Sequence, residues 1–266
     1  MNLEGTCVVV TGAAGGIGAA LANRFAAQGA RAVVVADRDA HGSETVAGHI
    51  ASGSSAEAMA VTCDVTRESE LQALVESTER RFGPIDLFCS NAGVITIGGA
   101  DASDQDWRLS LDVNVMAHVY AARILVPRML ERGGGYLLQT ASAAGLLTQL
   151  GSAPYSVTKH AAFAFAEWLA ITYGDRGLKV SVLAPQAVRT AMTAGVVDGG
   201  VAGVDGMLEP DAVADAVVAG LESESFLILP HPQVLEYFQR KASDYERWLR
   251  GMRRLQSHFG GVGELT

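Results

Sequence analysis

Residues 7–18 read Cys7-Val8-Val9-Val10-Thr11-Gly12-Ala13-Ala14-Gly15-Gly16-Ile17-Gly18. A valine-rich run breaks abruptly into a glycine-dense turn, and an alanine-rich stretch of helical period follows over 16–28. Valine, stiff at χ1, favours strand, whereas glycine admits a tight turn and close backbone approach. A turn of this kind leaves the first N–H groups of the helix exposed, and those donors, reinforced by the helix dipole, attract a pyrophosphate. The stretch therefore predicts strand, phosphate-binding turn and helix, the opening unit of a parallel α/β sheet.

Outward from this unit the pattern repeats. Apolar runs predict strands near 6–11, 31–36, 57–62, 85–90, 135–141, 178–184 and 225–229. Helices are expected at roughly 16–28, 41–51, 67–82, 104–131, 154–173 and 210–222. Such continuous runs suit strands covered on both faces. The expectation is an α/β, Rossmann-type doubly wound parallel sheet of about seven strands, in a single dinucleotide-binding catalytic domain spanning 1–266. Within it, the Gly-rich segment 188–209 is expected to form a substrate lid, and 231–266 a C-terminal helical extension. That extension contains an arginine-rich amphipathic helix over 233–256, of charge +3, in which Phe238, Tyr245 and Met252 recur every seven residues, as do Trp248 and Leu255. The stripe is expected to dock on its own subunit or a neighbour.

The chain has 266 residues, 49% of them apolar, and 29 acidic against 20 basic residues. That composition supports a packed core rather than disorder, and a net charge of −9 argues against a nucleic-acid surface. Small molecules are the expected partners. The opening Met1-Asn2-Leu3-Glu4-Gly5 carries no basic segment, and no run reaches the roughly 18 apolar residues of a membrane span, so a cytoplasmic protein is expected. Cys7, Cys63 and Cys89 each lie in a short apolar run and read as reduced core residues, with no metal site. His118, His160 and His231 are far apart and read as satisfied or exposed histidines.

The second predicted strand ends at Asp37, 19 residues beyond Gly18, where a carboxylate accepts ribose hydroxyls and repels a 2′-phosphate. NAD(H) is accordingly favoured over NADP(H). Arg38 reads either as a solvated charge or as a 2′-phosphate partner, and the position before Gly16 is a glycine, Gly15, rather than a second cation. Asp64 either contacts an adenine or caps the helix beginning near Arg67.

Tyr155-Ser156-Val157-Thr158-Lys159 places a phenol and an ammonium on one helical face. A tyrosine of pKa about 10 is a poor base at neutral pH, and lowering it by about three units takes roughly 4 kcal/mol. One positive charge at about 4 Å supplies that order at an effective dielectric near 20, so Lys159 alone is expected to make Tyr155 a general acid/base. The choice of lysine is informative in a chain with 17 arginines and three lysines. Tyr237 and Lys241 repeat the spacing and read as a surface pair on the terminal helix. What distinguishes the first pair is Ser142, at the end of the fifth predicted strand, where ligands of an open α/β sheet bind.

Thr11-Gly12, Gly16-Ile17-Gly18, Asp37, Asp64, Ser90-Asn91-Ala92-Gly93, Asn114, Ser142, Tyr155 and Lys159, in this order over residues 3 to about 190, make the chain similar to the short-chain dehydrogenase/reductase family in its compact single-domain form. The resemblance implies that Tyr155 exchanges a proton with the substrate oxygen, that Ser142 hydrogen-bonds it, and that Lys159 binds the nicotinamide ribose and depresses the Tyr155 pKa. It implies that Asn114 holds a water linking Lys159 to solvent. Cofactor contacts are expected from Gly12, Gly16, Ile17, Gly18, Asp37, Arg38, Asp64, Val65, Asn91, Ala92, Gly93, Tyr155, Lys159, Pro185, Val188 and Thr190. Two positions depart from the family pattern: Ser90 stands where asparagine is common, and Gln186 follows Pro185 where glycine is usual. Substrate contacts are expected from Ser142, Ala144, Gln149, Tyr155, Gln186 and Met192, with further wall from Leu146, Leu147, Leu150, Val196, Val197 and Met207. Arg189 is the one cation near them, so a multiply anionic substrate is not expected. The reading is an NAD(H)-dependent enzyme interconverting a hydrophobic secondary alcohol and its ketone, in a homodimer or homotetramer paired through the helices at 104–131 and 154–173. The alternatives are an NADPH-dependent ketone reductase and a non-catalytic nucleotide sensor.

Overall fold

The computed structural model describes residues 1–259, apart from the side chain of Val197; the end of the expected extension, 260–266, lies outside the described residues. Seven parallel strands form one sheet in the order β3-β2-β1-β4-β5-β6-β7. They are β1 (Cys7–Thr11), β2 (Ala32–Asp37), β3 (Glu57–Thr62), β4 (Leu87–Ser90), β5 (Gly135–Thr140), β6 (Leu178–Leu183) and β7 (Leu227–Ile228). The order reverses between β1 and β4, and the carboxyl ends of the strands on either side of that point diverge into a crevice.

The valine runs are buried on both sides because their alternation divides them between two cores. Val8, Val10, Val33 and Val35 face one core with Leu21, Phe25 and Val217, while Cys7, Val9 and Val34 face the other with Leu74, Leu125 and Leu169. Helices α1 (Gly16–Ala27), α2 (Ala40–Gly53) and α7 (Pro210–Glu222) cover the first face. The second is covered by α3 (Glu68–Phe82), α5 (Ala117–Glu131) and α6 (Ala153–Tyr173). The edge strand β3 departs from the expected full burial, being half-buried with Glu57 exposed. At the other edge β7 keeps two paired residues, because β6 offers it only Val182 and Leu183.

The long helix expected over 104–131 is interrupted. It runs as α4 (Asp104–Leu111), a π-helical turn over Asp112–Met116, and α5. Such turns are rare and cluster at functional sites. Asp104–Glu131 as a whole is long and apolar enough to cross a membrane, but half of its apolar window is buried inside the fold. The terminal helix is also broken: α8 (Gln233–Ser243) and α9 (Tyr245–Phe259) are separated at Asp244, whose φ of −152° and ψ of 89° are not helical. The 188–209 segment holds more structure than an open loop, with 3₁₀ turns at Ala191–Thr193 and Val197–Gly203 and a bridge between Val188 and Leu208.

All three cysteines are free and buried. Burial pushes the Cys7 thiol up to about 11 and Cys63 to about 12, and raises Cys89 as well, leaving all three as unreactive thiols.

Candidate active site

Helix α1 begins without a side-chain cap and with no acid in its first turn, whereas α2, α4 and α6 are capped by Asp39, Ser103 and Ser152. The orphan N–H groups of α1 are therefore left for an anion. The turn before it is compact enough to exclude side chains: a Cβ on Gly12 would meet the Ala92 Cα at 2.7 Å, and one on Gly18 the Gly12 carbonyl at 2.1 Å. Gly15 faces open space, so its lack of a side chain is not a packing demand. At the end of β2, Asp37 fixes this turn by accepting from the Ala14 N–H at 3.1 Å and the Asp39 N–H at 3.1 Å. Asn91 ties β1 to β5, donating to the Thr11 carbonyl at 3.1 Å and accepting from the Thr140 hydroxyl at 3.0 Å.

Asp64 does not cap α3, whose first residue follows Arg67. Its carboxylate instead closes a turn by accepting from the Thr66 N–H at 3.0 Å and hydroxyl at 2.8 Å, and it lines the cavity. Burial pushes the Asp64 carboxyl up, but the Thr66 hydrogen bonds outweigh it and hold it below the usual range. Exposed Arg38 lines the same end of the cavity, and its charge also favours the Asp64 carboxylate.

Ser152 caps α6 through the Tyr155 N–H at 3.2 Å, which puts Tyr155 in the first turn and its side chain at the floor of the cavity. Burial raises the Tyr155 pKa, opposed by a hydrogen bond from Ser142. Lys159 lies beside the phenol. The ammonium lies 5.6 Å from the centre of the Tyr155 ring and donates to the Thr140 carbonyl at 3.0 Å, and burial brings its own pKa down to about 8. Desolvation thus acts on both groups, disfavouring the phenolate and the ammonium alike.

Asn114 sits in the π turn and is fully buried. Its amide accepts from the Val94 N–H at 2.9 Å and donates to the Val94 carbonyl at 2.9 Å and the Thr158 hydroxyl at 3.1 Å. The side chain thus holds the segment after β4 against α6, and Asn114 does not itself line the cavity. It still lies beside Lys159, since a Cβ on Gly93 would meet the Lys159 Nζ at 3.3 Å and the Asn114 Oδ1 at 3.4 Å.

All expected cofactor residues and Ser142, Ala144, Gln149, Gln186 and Met192 line one cavity of about 1510 Å³. Of the further wall residues, Leu146 is buried in a side cluster and Met207 packs beneath Gly199, so neither reaches the cavity. Gln149 donates to the Leu150 carbonyl at 3.1 Å, while the buried Oε1 of Gln186 has no partner and is a free acceptor in the wall. Arg189 points away and pairs with Glu209 at 2.8 Å.

The terminal helices supply what the sequence reading left out. Tyr237, Arg240, Arg247, Trp248, Met252, Arg254, Leu255 and Phe259 all line the cavity, so α8 and α9 roof it from within the same chain. The seven-residue stripe docks only in part, for Trp248, Met252 and Leu255 turn inward while Phe238 and Tyr245 stay exposed. Tyr237 and Lys241 are not a surface pair. The Tyr237 hydroxyl donates to Asp205 at 2.9 Å, and buried Lys241 donates to the Leu146 carbonyl at 2.7 Å. Of His118, His160 and His231, His160 is the one satisfied as expected, its Nδ1 lying 2.8 Å from the Ser156 carbonyl, whereas the Nε2 of His231 has no hydrogen-bond partner among the described residues. His118 is buried with neither ring nitrogen partnered, and burial, aided by Lys159, brings its pKa down to about 3. His231 is buried and accepts from the Gln186 N–H at 3.2 Å.

A family model described as short chain dehydrogenase matches residues 6–199. The chain belongs to the short-chain dehydrogenase/reductase family and is an oxidoreductase of that class. It is 38% identical over 239 residues to a 1-deoxy-11-beta-hydroxypentalenate dehydrogenase of Streptomyces avermitilis, covering 86% of this chain and 85% of that one. It is 32% identical to the 7alpha-hydroxysteroid dehydrogenase of Escherichia coli K12, over 71% and 74% of the two chains. Among solved structures, a short-chain dehydrogenase/reductase from Burkholderia phymatum in complex with NAD superposes with a TM-score of 0.85 at 28% identity, covering 92% of this chain and 96% of that one.

Proposed function

We propose that the protein is an NAD(H)-dependent dehydrogenase/reductase interconverting a bulky hydrophobic secondary alcohol and its ketone. The observation that carries this reading is the Ser142–Tyr155 hydroxyl pair at the floor of a cavity whose far end holds the uncapped α1 N-terminus and Asp37. The residues fit a dinucleotide: free N–H donors for a pyrophosphate, glycines with no room for a Cβ, and a carboxylate at the β2 end. Asp37 favours NAD(H) over NADP(H), since a 2′-phosphate would meet its negative charge. Arg38 is the feature that speaks for the NADP(H) alternative. The nicotinamide, when bound, supplies the hydride donor or acceptor.

In the oxidative direction Tyr155 takes the proton of the substrate hydroxyl, and in the reductive direction it returns it. Ser142 donates to the same oxygen; in the free protein its hydroxyl donates to the Pro185 carbonyl at 3.4 Å. Lys159 has spent one of its three donors on Thr140 and keeps the others for ribose hydroxyls. Asn114 holds Val94 and Thr158 in place beside it. Leu147, Met192, Val196, Trp248 and Met252 form an apolar enclosure, and Gln186 contributes an acceptor. The cavity exceeds the roughly 300–1,000 Å³ of a single drug-sized ligand, which leaves space for a substrate the size of the ring systems named by the two relatives. The 188–209 segment acts as the lid. Exposed Leu109, Leu111, Trp168 and Ile171 on α4 and α6 are the faces through which two copies would pair.

The test is the near-ultraviolet absorbance of reduced nicotinamide with alicyclic secondary alcohols and ketones, run with NAD(H) and NADP(H) in parallel. Turnover is expected with NAD(H) at a kcat/KM about tenfold or more above that with NADP(H), narrowed by Asp37→Ala. Turnover with NADP(H) alone would overturn the ribose assignment. NADH binding with no turnover of any alcohol or ketone would replace the dehydrogenase reading with nucleotide sensing.

A further inference from the structure

Helix α9 brings two arginines to the cavity that no part of the proposed reaction uses. Arg247 and Arg254 both line it, seven residues and thus about 10 Å apart along one helical face. Among the described residues neither has an ion-pair partner, whereas Arg240 is paired with Glu236 and Arg189 with Glu209. The one carboxylate beside them, Asp244, is engaged at the start of α9, accepting from the Arg247 N–H at 2.9 Å.

Between the two arginines, on the same face, stands Gly251. A glycine inside a helix is destabilising relative to alanine, because it loses more backbone entropy on folding. Packing does not require it: a Cβ there would meet nothing closer than the Arg254 Nη2 at 3.9 Å. The missing side chain leaves that part of the helix bare, with the Arg254 guanidinium beside it, and both arginines, though they line the cavity, are exposed. Around Gly251 the cavity wall is apolar, through Trp248, Met252 and Leu255. Two guanidinium groups with no ion-pair partner among the described residues offer the planar donor forks that pair with a carboxylate.

We infer that Arg247, Gly251 and Arg254 form a subsite for a carboxylate carried by the substrate, so that the substrate is a hydrophobic hydroxy acid or keto acid. This rests on the proposed dehydrogenase reading, because it places the carboxylate at the roof of the cavity while the reacting carbon lies at the floor beside Tyr155. An apolar body spans the two ends, and the charge sets which way round it enters.

The experiment uses alicyclic secondary alcohols and their ketones as matched carboxylate and methyl-ester pairs, from 4-hydroxycyclohexanecarboxylate up to steroid-sized hydroxy acids. The kcat/KM ratio of acid to ester is measured for the wild type and for the R247Q/R254Q double variant. Quenching of tryptophan fluorescence by each ketone is measured alongside on the NADH complex, as Trp248 lines the cavity. The wild type is expected to prefer the acid of at least one pair by about tenfold or more, and the double variant to bring that ratio close to one while binding NADH as the wild type does. Gly251→Leu, which covers the bare stretch and leaves both arginines, is expected to lower the ratio too. A wild-type ratio near one throughout, or a preference surviving in the double variant, would overturn the subsite. Arginine-dependent binding of the acids without turnover would sustain the subsite and remove the dehydrogenase reading beneath it. A loss of NADH affinity in the double variant would instead assign the arginines to the cofactor.

Discussion

Tyr155 and Lys159 on α6 share their spacing with Tyr237 and Lys241 on α8, and much of their surroundings as well. In both pairs the lysine is buried and donates a hydrogen bond to a backbone carbonyl, Thr140 in one case and Leu146 in the other. Both tyrosines line the same cavity, and burial raises the pKa of each. The difference lies in what meets the phenol. Ser142 stands at the Tyr155 phenol and opposes the rise that burial causes, whereas the Tyr237 hydroxyl donates a hydrogen bond to Asp205, whose negative charge raises the phenol further. In the proposed reading an i, i+4 pair is set apart by the third group that faces the oxygen: a neutral hydroxyl leaves the phenol able to exchange a proton, and a carboxylate ties it into a clasp. The α8 pair joins the 188–209 segment, through Asp205, to the loop after Ser142, through Leu146.

The sharpest way to break this comparison is to remove both phenol oxygens in turn. Tyr155→Phe is expected to lower kcat by a factor on the order of 10²–10⁴ with NADH affinity retained, while Tyr237→Phe changes kcat by less than about threefold. Steady-state rates and a fluorescence titration check both, and equal losses would erase the distinction. The lysines should separate in the opposite sense. Lys241→Met leaves the Leu146 carbonyl without its donor and is expected to cost about 1–3 kcal/mol in denaturant unfolding, with turnover retained. Lys159→Met is expected to cut turnover by about tenfold or more and to move the unfolding midpoint less, since it also relieves a buried charge. The smallest effect sharpens the role of the third group. Ser142→Ala removes the bond that favours the Tyr155 phenolate and so raises its pKa. Because oxidation needs the phenolate, the alkaline rise of kcat/KM for alcohol oxidation is expected to move up by about one pH unit, at a lower maximum. A limb that stays in place would show that Ser142 does not tune Tyr155.

The phosphate turn, the strand succession and the main pair were legible because each depends on residues close in sequence. Glycine density after a valine run and a tyrosine one helical turn before a lysine carry their meaning within a dozen positions. Other features were not legible because distant segments create them. Lys241 reads as exposed on any helical projection, and it is buried because the loop at Leu146, 95 residues away, lies over it. Asn114 reads as a mid-helix amide, and the π turn that aims it at Val94 and Thr158 leaves no mark in the apolar periodicity around it. His118 gives no sign in sequence of being buried without a partner. The heptad recurrence of Phe238, Tyr245 and Met252 is visible in the sequence, but its break at Asp244 and the inward turn of Met252 are not.

By itself the sequence determined the family, the seven-stranded parallel sheet and the residues at its carboxyl edge, because binary pattern and turn chemistry act locally. Tertiary structure alone decided the electrostatic state of those residues and the identity of the cavity roof. Burial is a property of everything that packs around a group, and it is burial that raises Tyr155 and lowers Lys159 to about 8, while the placement of α9 over the site puts the exposed Arg247 and Arg254 among its lining.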